Sequence, residues 1–248
     1  MTRALVPYHL DEHLPDLDVV LTPDSTITAE LPQGDPWRRM AVLYDFVAAS
    51  VASTVQRGGH AVVMSGDCTT SIGTVAGLQR AGLDPAIIWF DAHGDVQTLE
   101  TTASGYLGGM PLRVLTGYRP ELIAESLGMD PTAEERVLLV DARDLDPPEE
   151  DYLASSAIGR CPVEEITADV LPDGPLYLHV DLDVVDPTEL PGLRFPAPNG
   201  PGLERVFDAV RRVIATGRVF AFGVACTWYP GHGAGQRVRP YAEHTLAD

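Results

Sequence analysis

Asp91-Ala92-His93-Gly94-Asp95 sets two carboxylates and an imidazole at alternate positions. The stretch follows the apolar run Ala86-Ile87-Ile88-Trp89-Phe90, which reads as a buried strand of a parallel sheet. In extended backbone, side chains at i, i+2 and i+4 share a face. The pattern therefore predicts that Asp91, His93 and Asp95 converge where the strand ends. Oxygen and imidazole donors on one face suit a hard-to-borderline divalent cation. A capped strand end with solvated acids is the plainer alternative, and it fits poorly after a fully apolar strand.

A second pair points the same way. Leu176-Tyr177-Leu178-His179-Val180 runs into Asp181-Leu182-Asp183, so Asp181 and Asp183 are expected on one face of a largely apolar strand. Burying unpaired carboxylates in a sheet is costly, and a divalent cation is the usual remedy. The two motifs together offer four carboxylates and one imidazole, enough for two ions bridged by shared carboxylates.

The chain around these motifs is 248 residues long and 45% hydrophobic, enough for one large α/β domain over residues 1–248 with a substantial core. Its formal net charge of -19 repels nucleic acid and anionic membrane, and suits metal ions or a cationic small molecule as partners. No apolar run approaches the roughly 20 residues that span a bilayer, and Met1–Leu10 lacks a signal-peptide core. Three cysteines, Cys68, Cys161 and Cys226, are too few and odd in number for a disulfide framework. These features predict a cytoplasmic protein acting on a small molecule. An oligomer is compatible with such a chain, although no segment marks its interface.

The elements that must position the acids alternate strand with helix. Strands are predicted at Ala4–Pro7, Val19–Thr22, Ala61–Met64, the run ending at Asp91, Val137–Val140, Ile158–Cys161, Leu176–Asp183 and Val219–Thr227. Helices are predicted over Trp37–Arg57, Thr69–Arg80 and Gly202–Ala215, with another starting at Asp146-Pro147-Pro148-Glu149. Gly231–Asp248 has Gly and Pro punctuation and no helical apolar period, so it is expected to be irregular. The pattern predicts a three-layer α-β-α sandwich around an eight-stranded, mostly parallel sheet. Ligands in such folds bind beyond the carboxyl ends of the strands, where both acidic motifs fall.

Ser65-Gly66-Asp67-Cys68-Thr69-Thr70-Ser71, the Asp91–Asp95 stretch and Asp181-Leu182-Asp183-Val184-Val185-Asp186-Pro187, in this order, resemble the ureohydrolases, the arginase/agmatinase/formiminoglutamase family. The resemblance implies an arginase-like sandwich with two Mn²⁺ ions bridged by a hydroxide that attacks a guanidinium carbon. It implies Asp91 and Asp181 as bridging ligands, Asp95 and Cys68 completing one ion, and His93 and Asp183 completing the other. Gln97 and Ser104 match positions that hold the α-amino or α-carboxylate end of the substrate. Arg143-Asp144-Leu145-Asp146 resembles the family's Arg-Asp-x-Asp, which would put Asp146 on the α-amino group.

Several positions depart from the family pattern. Cys68 stands where a His is usual; as a thiolate it would add negative charge and shift preference toward Zn²⁺ or Fe²⁺. Gly108 stands where a proton-shuttling His is usual. These two changes, with Ser104-Gly105-Tyr106-Leu107-Gly108-Gly109-Met110, resemble the Nω-hydroxy-L-arginine hydrolase branch, which releases hydroxyurea. A hydroxyguanidine is less basic than a guanidine and needs the shuttle less. The guanidinium-pairing Glu after the last strand is replaced by Thr227 or Trp228. His232, on the following glycine-rich loop, is a weak candidate for a substitute shuttle, and no other protein catalytic residue is expected.

The expected function is a binuclear metal-dependent hydrolase of a guanidine-like C–N bond, with Nω-hydroxy-L-arginine as the favoured substrate. The missing Glu keeps open a neutral formimino, ureido or amide substrate. The combined losses keep open a metal-binding protein of this fold without turnover.

Overall fold

A computed structural model describes residues 1–246. Eight strands form one sheet: β1 (Thr2–Val6), β2 (Ser25–Thr26), β3 (Ala61–Ser65), β4 (Ala86–Asp91), β5 (Val137–Asp141), β6 (Gly159–Cys161), β7 (Leu176–Asp181) and β8 (Val219–Ala225). Their spatial order is β2-β1-β3-β8-β7-β4-β5-β6. Every neighbouring pair is parallel. The central strands β3, β4 and β7 are buried along their whole length, as apolar runs covered on both faces should be.

Alternation divides the sheet between two cores. Ile87 and Trp89 of β4 and Tyr177 of β7 pack on one face, against helices α1 (Pro36–Gln56) and α2 (Ser71–Arg80). Ile88, Phe90, Leu178 and Val180 pack on the other, against helices α4 (Leu203–Ile214) and α5 (Ala234–Thr245). A further helix, α3 (Pro147–Ser155), starts at Asp146 and adds Leu153 to the first core. This is the three-layer α-β-α sandwich expected from the sequence. No helix among the described residues is long and apolar enough to cross a membrane.

Two expectations about local structure are corrected. Val19–Thr22 is not a strand. Val20 and Leu21 are buried in the second core, and Ser25–Thr26 takes the edge pairing beside β1 instead. Residues 234–245 form a helix despite Pro240 inside it. Val238 and Ala242, four apart, bury one stripe against the second core, and Gly235 N donates to Asp18 Oδ2 at 3.1 Å at its start. Tertiary burial outweighs the Gly and Pro punctuation there. Residues 247–248 of the segment expected to be irregular lie outside the described residues.

Candidate metal centre and active-site cavity

At the carboxyl ends of β3, β4 and β7 the chain makes the same turn. Asp67 Oδ1 accepts from Thr69 N at 2.7 Å, Asp91 Oδ1 from His93 N at 2.8 Å and Asp181 Oδ1 from Asp183 N at 2.8 Å. Each carboxylate caps the backbone two residues on and turns the chain out of the sheet. This alters the expected geometry. Extended backbone stops at Asp91 and at Asp181; Leu182–Val184 is a 3₁₀ turn, and Asp95 is left-handed at φ 54°. The acids of each motif are gathered by capped turns rather than by strand alternation.

These turns floor a cavity of about 390 Å³. Cys68, Asp91, His93, Asp95, Asp181 and Asp183 all line it, as do Gln97, Ser104 and Asp146. Two sets of donor atoms lie within 4.8 Å of one another, Cys68–Asp91–His179 and Asp91–His93–Asp183, and Asp91 belongs to both. Cys68 Sγ is 2.8 Å from Asp181 Oδ2 and 3.7 Å from Asp91 Oδ2. His93 Nδ1 is 3.3 Å from Asp91 Oδ1 and 3.2 Å from Asp183 Oδ2. Buried Asp95 Oδ2 and His179 Nε2 have no hydrogen-bond partner among the described residues.

The electrostatics show what this floor lacks. Burial and the neighbouring acids push Asp95 and Asp181 well above the usual carboxylate range, and Asp183 up to about 6. Burial and Asp181 likewise push the Cys68 thiol up. His93 is kept charged: although burial opposes its charge, hydrogen bonds that it donates to Asp183 and Asp91 hold it protonated up to about 12. Asp91, against the cost of burial, is held low by His93. Metal-free, the site therefore keeps protons on groups that a divalent cation would need bare. Convergent buried O, N and S donors, two sets of them sharing one carboxylate, fit a pair of divalent ions.

The wall of the cavity comes from distant parts of the chain. Gln97 Nε2 donates to Asp146 Oδ2 at 2.9 Å, so these two expected substrate contacts form one unit. Ser104 is exposed at the rim, where its Oγ accepts from Tyr106 N at 3.2 Å. Buried Glu149 also lines the wall and ties the strand β4 turn to helix α3: its Oε1 accepts from Val96 N and its Oε2 from Asp146 N, both at 3.2 Å. Phe195 closes the mouth, its ring 5.0 Å from that of Tyr106. The loop carrying Phe195 is tied down by Arg143, whose guanidinium donates to Ala197 O at 2.7 Å and Pro198 O at 3.0 Å.

Position 108 has a physical explanation. A Cβ placed on Gly108 would fall 2.2 Å from Tyr106 Cζ and 2.3 Å from its hydroxyl oxygen. The Tyr106 phenol thus occupies the volume that a side chain at 108 would need. Behind it, His9 Nδ1 is 2.9 Å from Gly66 O and His9 Nε2 is 3.0 Å from the Tyr106 hydroxyl. A carbonyl only accepts, so Nδ1 carries the proton and Nε2 accepts from the phenol. Sequence reading missed this pair, because nothing local links residues 9 and 106. It also missed Phe195 and His179.

The place after the last strand is now defined. Thr227 lines the cavity and donates to Asp181 Oδ1, whereas Trp228 turns away to donate to Asp18 O at 2.9 Å. His232 is exposed and packs over Gly192, where a Cβ would come within 2.7 Å of it. It does not line the cavity, because the chain after β8 is already leading into α5.

Residues 2–227 match the family model described as "Arginase family". The arginase of Bacillus caldovelox is 36% identical over 169 residues, covering 62% of this chain and 56% of that protein. The N(omega)-hydroxy-L-arginine amidinohydrolase of Streptomyces lavendulae is 29% identical over 171 residues, covering 66% of this chain and 60% of that protein. The matched stretch thus spans little more than half the length of these curated relatives. The crystal structure of arginase from Bacillus subtilis superposes with a TM-score of 0.82 at 24% identity, covering 99% of this chain and 97% of that one. With the family model matched along most of its length, and the eight-stranded parallel sheet to go with it, the chain belongs to the arginase family.

Proposed function

We propose that this chain is a binuclear metal-dependent hydrolase of a guanidine-like C–N bond, and that its substrate is Nω-hydroxy-L-arginine, converted with water to ornithine and hydroxyurea. The observation that carries the reading is the cavity floor, where two donor sets share Asp91 and the buried acids Asp91, Asp95, Asp181 and Asp183 have only the His93 imidazole set against them. Mn²⁺ is the expected ion; the Cys68 sulfur makes Zn²⁺ or Fe²⁺ a closer match in softness. When bound, the ions would supply Lewis acidity and an activated water at the guanidino carbon. Asp91 and Asp181 are assigned as shared ligands, Cys68 and Asp95 as ligands on one side, and His93 and Asp183 on the other.

The remaining residues bind and orient. Gln97, Asp146 and Ser104 hold the amino-acid end of the substrate at the wall and rim. Tyr106 stands where the family's shuttle would be. Its phenol is pushed up by burial and by Asp67, so it stays protonated, hydrogen-bonded to His9. Such a group hydrogen-bonds a substrate hydroxyl without carrying a proton through solvent, which suits a hydroxyguanidine leaving group of low basicity. Mn²⁺-loaded protein is expected to release hydroxyurea from hydroxyarginine faster than urea from arginine. Inactivity toward both with two ions bound overturns this substrate.

Thr227 favours a second reading. A neutral hydroxyl at the place of the guanidinium partner suits a neutral formimino, ureido or amide substrate, since a buried cation without a counter-charge binds poorly. A panel of guanidino, hydroxyguanidino, formimino and ureido compounds, compared by kcat/KM, separates the two.

A further inference from the structure

We infer that His179 is a metal ligand, its Nε2 joining Cys68 and Asp91 around the ion on the Cys68 side of the cavity floor. The inference rests on the metal-dependent reading above and adds to the site a residue that neither acidic motif contains.

His179 lies on β7, two residues before Asp181, so both side chains leave the same face of the strand. Its ring is 1% exposed. Nε2 is buried without a hydrogen-bond partner among the described residues. One ring nitrogen of His179 lies within 4.8 Å of a donor atom of Cys68 and one of Asp91; Nδ1 is already engaged, which leaves Nε2 as the nitrogen open to an ion. A buried imidazole nitrogen left bare is costly, and most such atoms in folded proteins are satisfied. A cation shared with the thiolate and the carboxylate would satisfy it.

The other ring nitrogen is held as a ligand's should be. Ser71 Oγ lies 3.0 Å from His179 Nδ1, and the Tyr177 hydroxyl lies 3.3 Å from it. Tyr177 donates to Ser71 Oγ at 2.7 Å, which leaves a serine lone pair for an Nδ1–H. That tautomer leaves the Nε2 lone pair free, and a partner on the distal nitrogen is the normal support of a metal-bound histidine. Trp89 fixes the ring from the side, with centroids 3.8 Å apart. Gly223 on β8 leaves the space: a Cβ there would lie 2.1 Å from the Tyr177 hydroxyl and 3.1 Å from His179 Nδ1.

The test uses the whole chain labelled with ¹⁵N-histidine, titrated with Zn²⁺ and followed by ring ¹⁵N chemical shifts, with metal content measured in parallel. The His179 resonance is assigned by its loss in His179→Gln. Its Nε2 is expected to shift to the metal-bound position as metal loads. His179→Gln, checked for folding by circular dichroism, is expected to bind one ion about 10–100-fold more weakly. Ser71→Ala should weaken the same ion by a smaller factor. If two ions bind and His179 Nε2 keeps its unbound shift, the inference is overturned while the metalloenzyme reading stands. If no ion binds the unaltered chain, both fall together.

Discussion

On the cavity floor, Asp67, Asp91 and Asp181 each accept an N–H from two residues further on; on the wall, Tyr106 reaches back to His9 and Gln97 across to Asp146. The floor is assembled from short segments, each of which folds its own turn once its strand is in place. The wall is assembled from residues 49 and 97 positions apart. Changing a floor residue should therefore remove the cation, while changing a wall residue should alter which substrate turns over with the cation retained.

The largest effect is expected for Asp91→Asn, which strips a carboxylate from both donor sets. Metal affinity should fall by about 10²-fold or more, and hydrolysis should drop with it. Metal content after dialysis, with circular dichroism as the folding control, checks this. Retained metal would mean that the floor does not work as a shared-ligand unit.

Tyr106→Phe addresses the wall. It removes the hydroxyl that His9 accepts from and keeps the ring. We expect roughly a tenfold loss in kcat/KM on hydroxyarginine with unchanged metal content. A parallel loss of metal would place Tyr106 functionally with the floor.

The metal-stripped protein should show the strain of the floor as a pH dependence. Asp183 is pushed up to about 6 by burial and Asp91, above its unfolded value, and Asp95 and Asp181 shift in the same direction. Their protonated forms stabilise the fold. That contribution is full below the unfolded carboxylate pKa of about 4 and is lost as pH rises through the folded values. In a chelator, Tm should fall by several degrees, ~5 °C, between pH 4 and pH 6.5. His93 shifts in the same direction but titrates above this window, toward about 12. With Mn²⁺ or Zn²⁺ present the slope should reverse, because the ion competes with protons for the same oxygens.

The smallest effect is expected for Ser104→Ala. The side chain is exposed at the rim and bonds only within its own turn. A rise in KM of about two- to threefold, with stability changed by less than ~0.5 kcal/mol, is the expected outcome in steady-state kinetics and thermal melts. A large fall in kcat instead would place Ser104 beside the reacting atoms.

The acids were legible because local patterning marks them. An apolar run of β-formers followed by Asp-x-His or Asp-x-Asp states where a buried strand stops and what stands at its end. The turn itself was misread, since alternation gave the right neighbours by the wrong geometry: capping by Asp91 and Asp181 ends the strand at once. Helix α5 was missed for a related reason. Pro240 and the glycines before it signal irregular chain, and only burial of Val238 and Ala242 against the second core makes the helix worthwhile.

Residue order alone specified the strand–helix alternation, the parallel sheet and the acidic floor, because these depend on hydrophobic period and on functional groups a few residues apart. Folding in three dimensions added what depends on long-range proximity. It brought His9 to Tyr106 and so filled the space at Gly108. It chose Thr227 over Trp228 as the residue facing Asp181, and sent His232 to the surface. It also set the His179 imidazole beside Cys68 and Asp91, in a space that Gly223, on the neighbouring strand, leaves open. Such contacts have no local signature, since each depends on which strands the sheet makes neighbours.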